Sequence, residues 1–264
     1  MTDGPTLTVL VLGGTTEGRE LAAALDGRPG LRVVSSLAGR TGNPLPVAGE
    51  TRSGGFGGFD GLEGWLDEHR PVVLVDATHP YAVVMSATAA QATRSTGTPM
   101  LRLTRPGWVE QPGDRWQRVP SAEHAAVLVA ALGERPLLTT GHAGLTSFTT
   151  ACAHLPALLR SVEPPSLTLP GPWRLLLARG PFELGAERAL LAEHRADVLV
   201  TRDSGGDGAK LTAAREAGLP VVLIDRPIPG VVVTRPGLHR APEPREVSSL
   251  DQAVDWVLAC LRHR

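Results

Sequence analysis

The sequence predicts an α/β protein made of two halves, each a mostly parallel sheet flanked by helices, with a cleft between them. Short apolar runs alternate with helical stretches along all 264 residues, which is typical of βα units and of parallel sheets. Each half also contains a strand that runs into a glycine-rich turn and then a helix, at residues 7–25 and again at 198–217. Together these observations predict two Rossmann-like halves.

A stretch with two prolines and two glycines, residues 105–115, separates the halves and is typical of a domain boundary. We therefore predict a dinucleotide-binding domain over residues 1–108. A second α/β domain that contributes to substrate binding is predicted over residues 109–264. The C-terminal helix could dock back on the first domain.

The predicted elements follow from the position of each apolar run. The run at residues 7–12 is apolar except for Thr8, as expected of a strand buried on both faces. Predicted strands span residues 7–12, 31–35, 72–76, 100–103, 136–140, 174–178, 198–201 and 220–224. Predicted helices span residues 17–25, 62–69, about 82–95, 122–132, 183–194, 209–217 and 250–261.

The composition argues against several functions. A net charge of −1 gives no reason to expect nucleic acid or an anionic membrane as a partner. No apolar run approaches the roughly 20 residues of a membrane span, and the N terminus lacks the basic region of a signal peptide. We therefore expect a cytoplasmic protein. Cys152 and Cys260 lie far apart, and no histidines have metal-binding spacing, so no metal is expected.

The turn after the first strand is the predicted site of a dinucleotide pyrophosphate. A strand, a glycine turn and a helix present free backbone N–H groups to an anion. A nucleotide-hydrolysing site is disfavoured because Arg19 and Glu20 stand where the phosphate-binding loop needs lysine and a hydroxyl. Thr15 breaks the G-x-G-x-x-G pattern. The turn consists of Gly13, Gly14, Thr15, Thr16, Glu17 and Gly18.

The end of the second strand indicates which dinucleotide binds. Enzymes that use NAD usually place an acid there to bind the ribose 2′-hydroxyl, whereas this chain has Ser35 and Ser36, followed by Arg40. Hydroxyl donors and a guanidinium suit a 2′-phosphate, so the sequence predicts NADPH. Gly55, in the glycine-rich loop 53–59, and Thr78 complete the predicted cofactor site.

Two polar segments past strand ends are the candidates for chemistry. His79 and Tyr81 follow the strand at 72–76 and are candidate proton donors. The segment 201–210 follows another strand and contains Lys210, the single lysine among 26 basic residues. Because lysine and arginine are not interchangeable at binding sites, we assign Lys210 a role in binding an anionic substrate group and count it with the catalytic residues.

Five segments resemble the precorrin-6A reductase family of cobalamin (corrin-ring) biosynthesis. They read LGGTTEG, SGGFGG, DATHPYA, RGPF and TRDSGG, at residues 12–18, 53–58, 76–82, 179–182 and 201–206. They occur in the expected order over about residues 7–230, and no motif was found after that. The third and fifth segments are the most specific.

The resemblance implies an oxidoreductase that transfers a hydride from NADPH, without flavin or metal, to a C=C/C=N system (C18–C19) of the precorrin-6A tetrapyrrole, giving precorrin-6B. It also allows transient contact with neighbouring pathway enzymes. Arg102 and Arg105 could pair with substrate carboxylates. The predicted substrate-binding residues are Arg179, Thr201, Arg202, Asp203, Ser204, Gly205 and Lys210.

Three alternatives stay open at this point. No residue of the sequence distinguishes precorrin-6A from the cobalt-containing substrate of the anaerobic pathway. A short-chain dehydrogenase or nucleotide-sugar epimerase needs Tyr-x-x-x-Lys, but Met85 stands four residues after Tyr81. A dinucleotide-sensing module without catalysis is the third alternative.

Overall fold

The computed structural model describes residues 6–39, 45–227 and 244–262. The chain forms two compact units, Met1–Pro106 with Ile228–Arg264, and Gly107–Pro227. The strands are β1 Leu7–Leu12, β2 Leu31–Leu37, β3 Glu50–Ser53, β4 Val73–Asp76, β5 Met100–Leu103, β6 Trp116–Val119, β7 Pro136–Leu138, β8 Leu158–Ser161, β9 Arg174–Leu177, β10 Val198–Arg202, β11 Val221–Ile224 and β12 Arg245–Val247. The helices are α1 Thr16–Leu25, α2 Phe59–His69, α3 Val83–Thr96, α4 Ala122–Leu132, α5 Leu145–Ala151, α6 Leu184–His194, α7 Ala209–Glu216 and α8 Leu250–Arg262.

Each unit contains one six-stranded sheet, and the described strand pairs are parallel. The strand order is β12-β5-β4-β1-β2-β3 in the first unit and β6-β11-β10-β7-β8-β9 in the second. This confirms the α/β class and the two parallel sheets. Strand order reverses between β4 and β1 and between β10 and β7, and ligands of such sheets bind at the carboxyl ends of the strands at these points.

The first sheet is buried on both faces because β1 presents apolar side chains on both of its sides. Val9 and Val11 pack in a cluster with residues of α1 and α8, such as Val257. Leu10 and Leu12 pack in another cluster with residues of α2 and α3. Because side chains alternate across a strand, one continuous apolar run fills both layers.

The C-terminal segment belongs to the first sheet. Arg245 and Val247 of β12 pair in register with Leu101 and Leu103 of β5, and α8 packs against α1. The second unit thus ends at Pro227, and the last strand and helix belong to the first unit, whereas the second domain was predicted over residues 109–264 with the C-terminal helix able to dock back. The cleft between the halves stays a prediction.

Five elements were not predicted: β3, β6, β8, β12 and α5. Three of them lie at sheet edges, where polar, exposed residues such as those of β3 need no apolar pattern. α5 has only seven residues and lacks charges. No helix of the described part of the chain is both long and apolar enough to cross a membrane.

Candidate cofactor and substrate sites

The glycine turn between β1 and α1 is held by Thr15. Its hydroxyl donates to the carbonyl oxygen of Ala77 at 2.8 Å and accepts from the N–H of Gly18 at 3.1 Å. Thr15 is therefore the N-cap of α1 and also joins the turn to the end of β4. Thr15, which breaks the G-x-G-x-x-G pattern, thus stabilises the turn through these two hydrogen bonds.

Two glycines of the turn are required by geometry. Gly14 has a φ of 113°, which L side chains rarely adopt. A Cβ on Gly18 would lie 3.3 Å from both the Ala77 Cβ and the Gly13 Cα, so α1 packs closely on the strands. This close approach is what the third glycine of a dinucleotide fingerprint provides.

The turn is open to an anion. The first N–H groups of a helix have no acceptor within the helix. Those of α1 lie in this turn, where Gly14 and Thr16 are exposed. The one acid of this first turn, Glu17, pairs with Arg105, with Oε1 3.5 Å from Nε. These features fit a dinucleotide pyrophosphate at Gly13–Gly18. Arg105 thus has a partner within its own unit.

The end of β2 contains the predicted serines. Ser35 is 1% exposed, and its Oγ has no hydrogen-bond partner among the described residues. The Oγ of Ser36 accepts from Nη1 of Arg52 at 3.2 Å. Arg40 lies outside the described residues.

Arg52 was not among the residues predicted from the sequence. The guanidinium also donates to the carbonyl oxygens of Gly54 and Gly55, each at 2.8 Å. Partial burial lowers the pKa of Arg52. Its position before the glycine-rich loop was the available sequence clue. The carbonyl oxygen of Gly55 therefore helps to hold the Arg52 guanidinium in place.

The loop after β4 is organised by a buried carboxylate. Asp76 Oδ1 accepts from both the N–H and the hydroxyl of Thr78, at 3.0 and 2.7 Å. Asp76 Oδ2 has no partner among the described residues. His79 and Tyr81 follow, half-buried, with ring centroids 5.6 Å apart. In addition, Nδ1 of His79 accepts from the N–H of Tyr81 at 3.3 Å.

Asp203, in the loop after β10, is bound by groups of its own unit. Its Oδ1 accepts from the N–H of Trp108 at 3.0 Å, and its Oδ2 accepts from Nη2 of Arg118 at 2.9 Å. Its carbonyl oxygen accepts from Nε of Arg226 at 2.8 Å. Asp203 therefore fixes two arginines at this edge, neither of which was a sequence candidate. It also fixes the chain at Trp108.

The cations at this edge occupy different surroundings. Lys210, in the first turn of α7, lies with its Nζ 4.8 Å from the centroid of the Trp108 ring. Arg202 and Ser204 are half-buried, whereas Gly205 is buried. Thr201 is fully buried within β10. Arg179 follows β9 and is exposed.

A small pocket of about 330 Å³ lies beside α6 and α7 in the second unit. The pocket is lined at one side by Pro181, Phe182 and Glu183 and at the other by Asp207, Gly208 and Thr212. It lies between a segment of the RGPF motif and the start of α7.

A buried ion pair supports the same region. Arg160 Nη1 lies 2.6 Å from Glu187 Oε1, with side chains 6% and 1% exposed. The Arg160 guanidinium also lies 4.0 Å above the Phe182 ring. This pair was not predicted from the sequence because its members lie 27 residues apart. Among the described residues, no group of three His, Cys, Asp or Glu side chains could hold a metal ion.

The chain matches the model of the family described as "Precorrin-6x reductase CbiJ/CobK" over residues 8–258. It is 47% identical to a precorrin-6A reductase of Rhodococcus erythropolis over 221 residues, covering 83% of this chain and 89% of that protein. It is 30% identical to a cobalt-precorrin-6A reductase of Salmonella typhimurium over 234 residues, covering 84% and 88%.

A solved structure is similar throughout. The structure titled "CobK precorrin-6A reductase" aligns with a TM-score of 0.84 and 38% sequence identity, covering 96% of this chain and 97% of that chain. The likeness therefore extends over both units.

Proposed function

The chain belongs to the precorrin-6x reductase family of oxidoreductases, and on that premise we propose that it reduces the precorrin-6A macrocycle to precorrin-6B with NADPH. The observation that carries the proposal is the Gly13–Gly18 turn, which combines the start of α1, the positive φ of Gly14 and the close packing of Gly18. A turn of this geometry at a reversal of strand order suits a dinucleotide.

In this proposal the first unit binds the cofactor. Gly13, Gly14, Thr15, Thr16 and Glu17 form the turn that receives the pyrophosphate, and Thr15 fixes its shape. Ser35 and Ser36 lie at the ribose end, with Arg40 nearby in sequence and Gly55 in the adjacent loop. Thr78 orders the segment after β4. When NADPH is bound, its nicotinamide supplies the hydride, and the protein aligns it.

The proton needed for reduction is assigned to the loop after β4. His79 and Tyr81 lie within one short segment, and the N–H to Nδ1 contact keeps the two rings together. Tyr81 carries a hydroxyl proton that a substrate carbon can accept, and His79 is the second candidate proton donor. This pair follows β4, which pairs with β1, the strand that leads into the glycine turn.

Substrate binding is assigned to the second unit. The tetrapyrrole carries carboxylates, which suit Arg179, Arg202 and Lys210. Ser204 and Gly205 belong to the same loop. The buried Thr201 and the bound carboxylate of Asp203 act by shaping this loop, because their polar groups face protein partners.

The cobalt-free substrate is favoured by similarity. Relatives named precorrin-6A reductase are 43–47% identical, whereas those named cobalt-precorrin-6A reductase are 29–30% identical. We also propose that the enzyme acts in the cytoplasm, without flavin or metal, with transient contact to neighbouring pathway enzymes.

Anaerobic incubation of the protein with NADPH and precorrin-6A tests the proposal. The macrocycle absorption should change together with loss of NADPH absorbance at one equivalent per product. A parallel incubation with cobalt-precorrin-6A should be slower. Turnover of the cobalt form alone would reverse the substrate choice, and flavin absorbance in the purified protein would contradict the direct hydride scheme. Dinucleotide binding without turnover of either macrocycle would favour a sensing module.

A further inference from the structure

Arg52 and Ser36 face each other at the carboxyl edge of the first sheet. The two residues are partners in the parallel register of β2 and β3, so their side chains leave the same face of the sheet. Arg52 Nη1 donates to Ser36 Oγ at 3.2 Å. Ser36 is also in register with Leu12, and its carbonyl oxygen accepts from the N–H of Gly13 at 2.9 Å. The pair thus lies one strand away from the glycine turn.

The guanidinium of Arg52 is fixed in place by the loop that follows it. The carbonyl oxygens of Gly54 and Gly55 each accept from it at 2.8 Å, and its central carbon lies 3.7 Å above the Phe56 ring. These contacts restrict a side chain that is normally flexible, which lowers the entropic cost of binding a ligand.

The charge of Arg52 is not neutralised by an acid. Its contacts are a hydroxyl, two carbonyl groups and an aromatic ring, and no carboxylate of the described residues pairs with it. Arg32, at the other end of the same strand pair, instead makes a bidentate pair with Glu50 at 2.7 and 2.6 Å. A partly buried cation without a counter-charge favours an anion.

Donors also remain for that anion. A guanidinium has five N–H groups, and the three contacts described here use three of them. Nε–H and a second N–H on Nη2 are left. Arginine binds phosphate well through such paired donors.

We infer that Arg52, oriented by Ser36, binds the 2′-phosphate of the adenosine ribose and sets the preference for NADPH over NADH. The inference rests on the proposed cofactor site. A pyrophosphate on the glycine turn directs the ribose toward the end of β2, where an acid would select NAD and where this chain has Ser36 beside a cation.

Isothermal titration of NADPH, NADH, 2′,5′-ADP and 5′-AMP tests this inference without turnover. Arg52→Gln should weaken NADPH and 2′,5′-ADP by about tenfold or more, because a charge-assisted contact is worth at least that. Affinity for NADH and 5′-AMP should stay within about twofold. Arg52→Lys should fall between Arg52→Gln and the unmodified protein, because lysine keeps the charge and loses the fork.

Two further variants complete the design. Arg32→Gln removes an arginine from the same strands at the opposite end, and all four affinities should be unchanged. Ser36→Asp adds the acid found in NAD enzymes and should shift preference toward NADH. Thermal denaturation checks that each variant is folded.

The outcomes separate the two proposals. If the unmodified protein prefers NADPH and Arg52→Gln keeps that preference, Arg52 does not bind the phosphate, and the proposed cofactor stands. Equal loss of NADH and NADPH in Arg52→Gln would show that Arg52 only shapes the loop. If the unmodified protein shows no preference for NADPH, the cofactor proposal and this inference both fail.

Discussion

The loops after β4 and β10 hold equivalent places in the two sheets, since each strand borders the reversal of strand order. A buried aspartate stands at each strand end: Asp76 is the last residue of β4 and Asp203 directly follows β10, with 1% and 4% exposure. Asp76 binds within its own loop, through Thr78, and leaves one oxygen without a described partner. Asp203 instead binds Trp108 and Arg118, 95 and 85 residues away.

The difference shows that one residue type at one topological position can serve two purposes. The local contacts of Asp76 order a short segment that contains candidate proton donors. The distant contacts of Asp203 hold Arg118 and, through the N–H of Trp108, the start of the second unit at one edge of the second sheet. Removal of the Asp203 carboxylate therefore disturbs contacts between distant segments, whereas removal of the Asp76 carboxylate disturbs one loop.

The largest effect is expected for the chemistry assigned to the β4 loop. Tyr81→Phe keeps the ring and removes the proton, so kcat should fall by roughly 10²–10⁴ while NADPH affinity stays unchanged. Single-turnover kinetics with precorrin-6A and a parallel NADPH titration measure the two quantities. A kcat within about threefold of the unmodified enzyme would assign the proton to water or to a substrate carboxyl group.

Removal of the β10 carboxylate should cost stability. Asp203→Ala removes the acceptor of the Trp108 N–H and the partner of Arg118. The free energy of unfolding should fall by about 1–3 kcal/mol, the cost of leaving buried hydrogen-bond partners unsatisfied, because Arg118 is 43% exposed and keeps Asp225 as a second partner. Urea denaturation followed by tryptophan fluorescence measures this change. A loss below about 0.5 kcal/mol would contradict the anchoring role.

Lys210 tests whether the β10 loop binds the substrate. Lys210→Ala should lower kcat/KM by an amount equivalent to about 1.5–3 kcal/mol of transition-state stabilisation, the range for a charge-assisted hydrogen bond. NADPH affinity and stability should be nearly unchanged. Lys210→Arg should restore part of the loss. The contact with the Trp108 ring is a structural alternative, and a variant with normal kcat/KM but a lowered Tm would support that alternative.

The smallest effect is expected at Asp76. Asp76→Asn keeps an oxygen that accepts from Thr78. It removes the negative charge of a carboxylate whose Oδ2 has no partner among the described residues. The free energy of unfolding should change by less than about 1 kcal/mol. Asp203→Asn, measured under the same conditions, should lose more. Equal losses in the two variants would remove the distinction between the loops.

The sequence alone determined the α/β class, the central strands and the family. The apolar runs of β1 and β4 are long enough to fill both layers, and the motifs from residue 12 to 206 keep their order, so local pattern was sufficient. The glycine turn was also found locally, although the hydrogen bond from the Thr15 hydroxyl to the carbonyl oxygen of Ala77, 62 residues away, was not.

Only the tertiary structure decided which polar groups meet. The β3 edge strand brings Arg52 beside Ser36, and the second sheet brings Arg118, Arg226 and Trp108 to Asp203. It also assigned β12 and α8 to the first unit. Short edge strands leave no apolar period to detect, and hydrogen bonds between distant residues depend on strand order, which a local pattern does not specify.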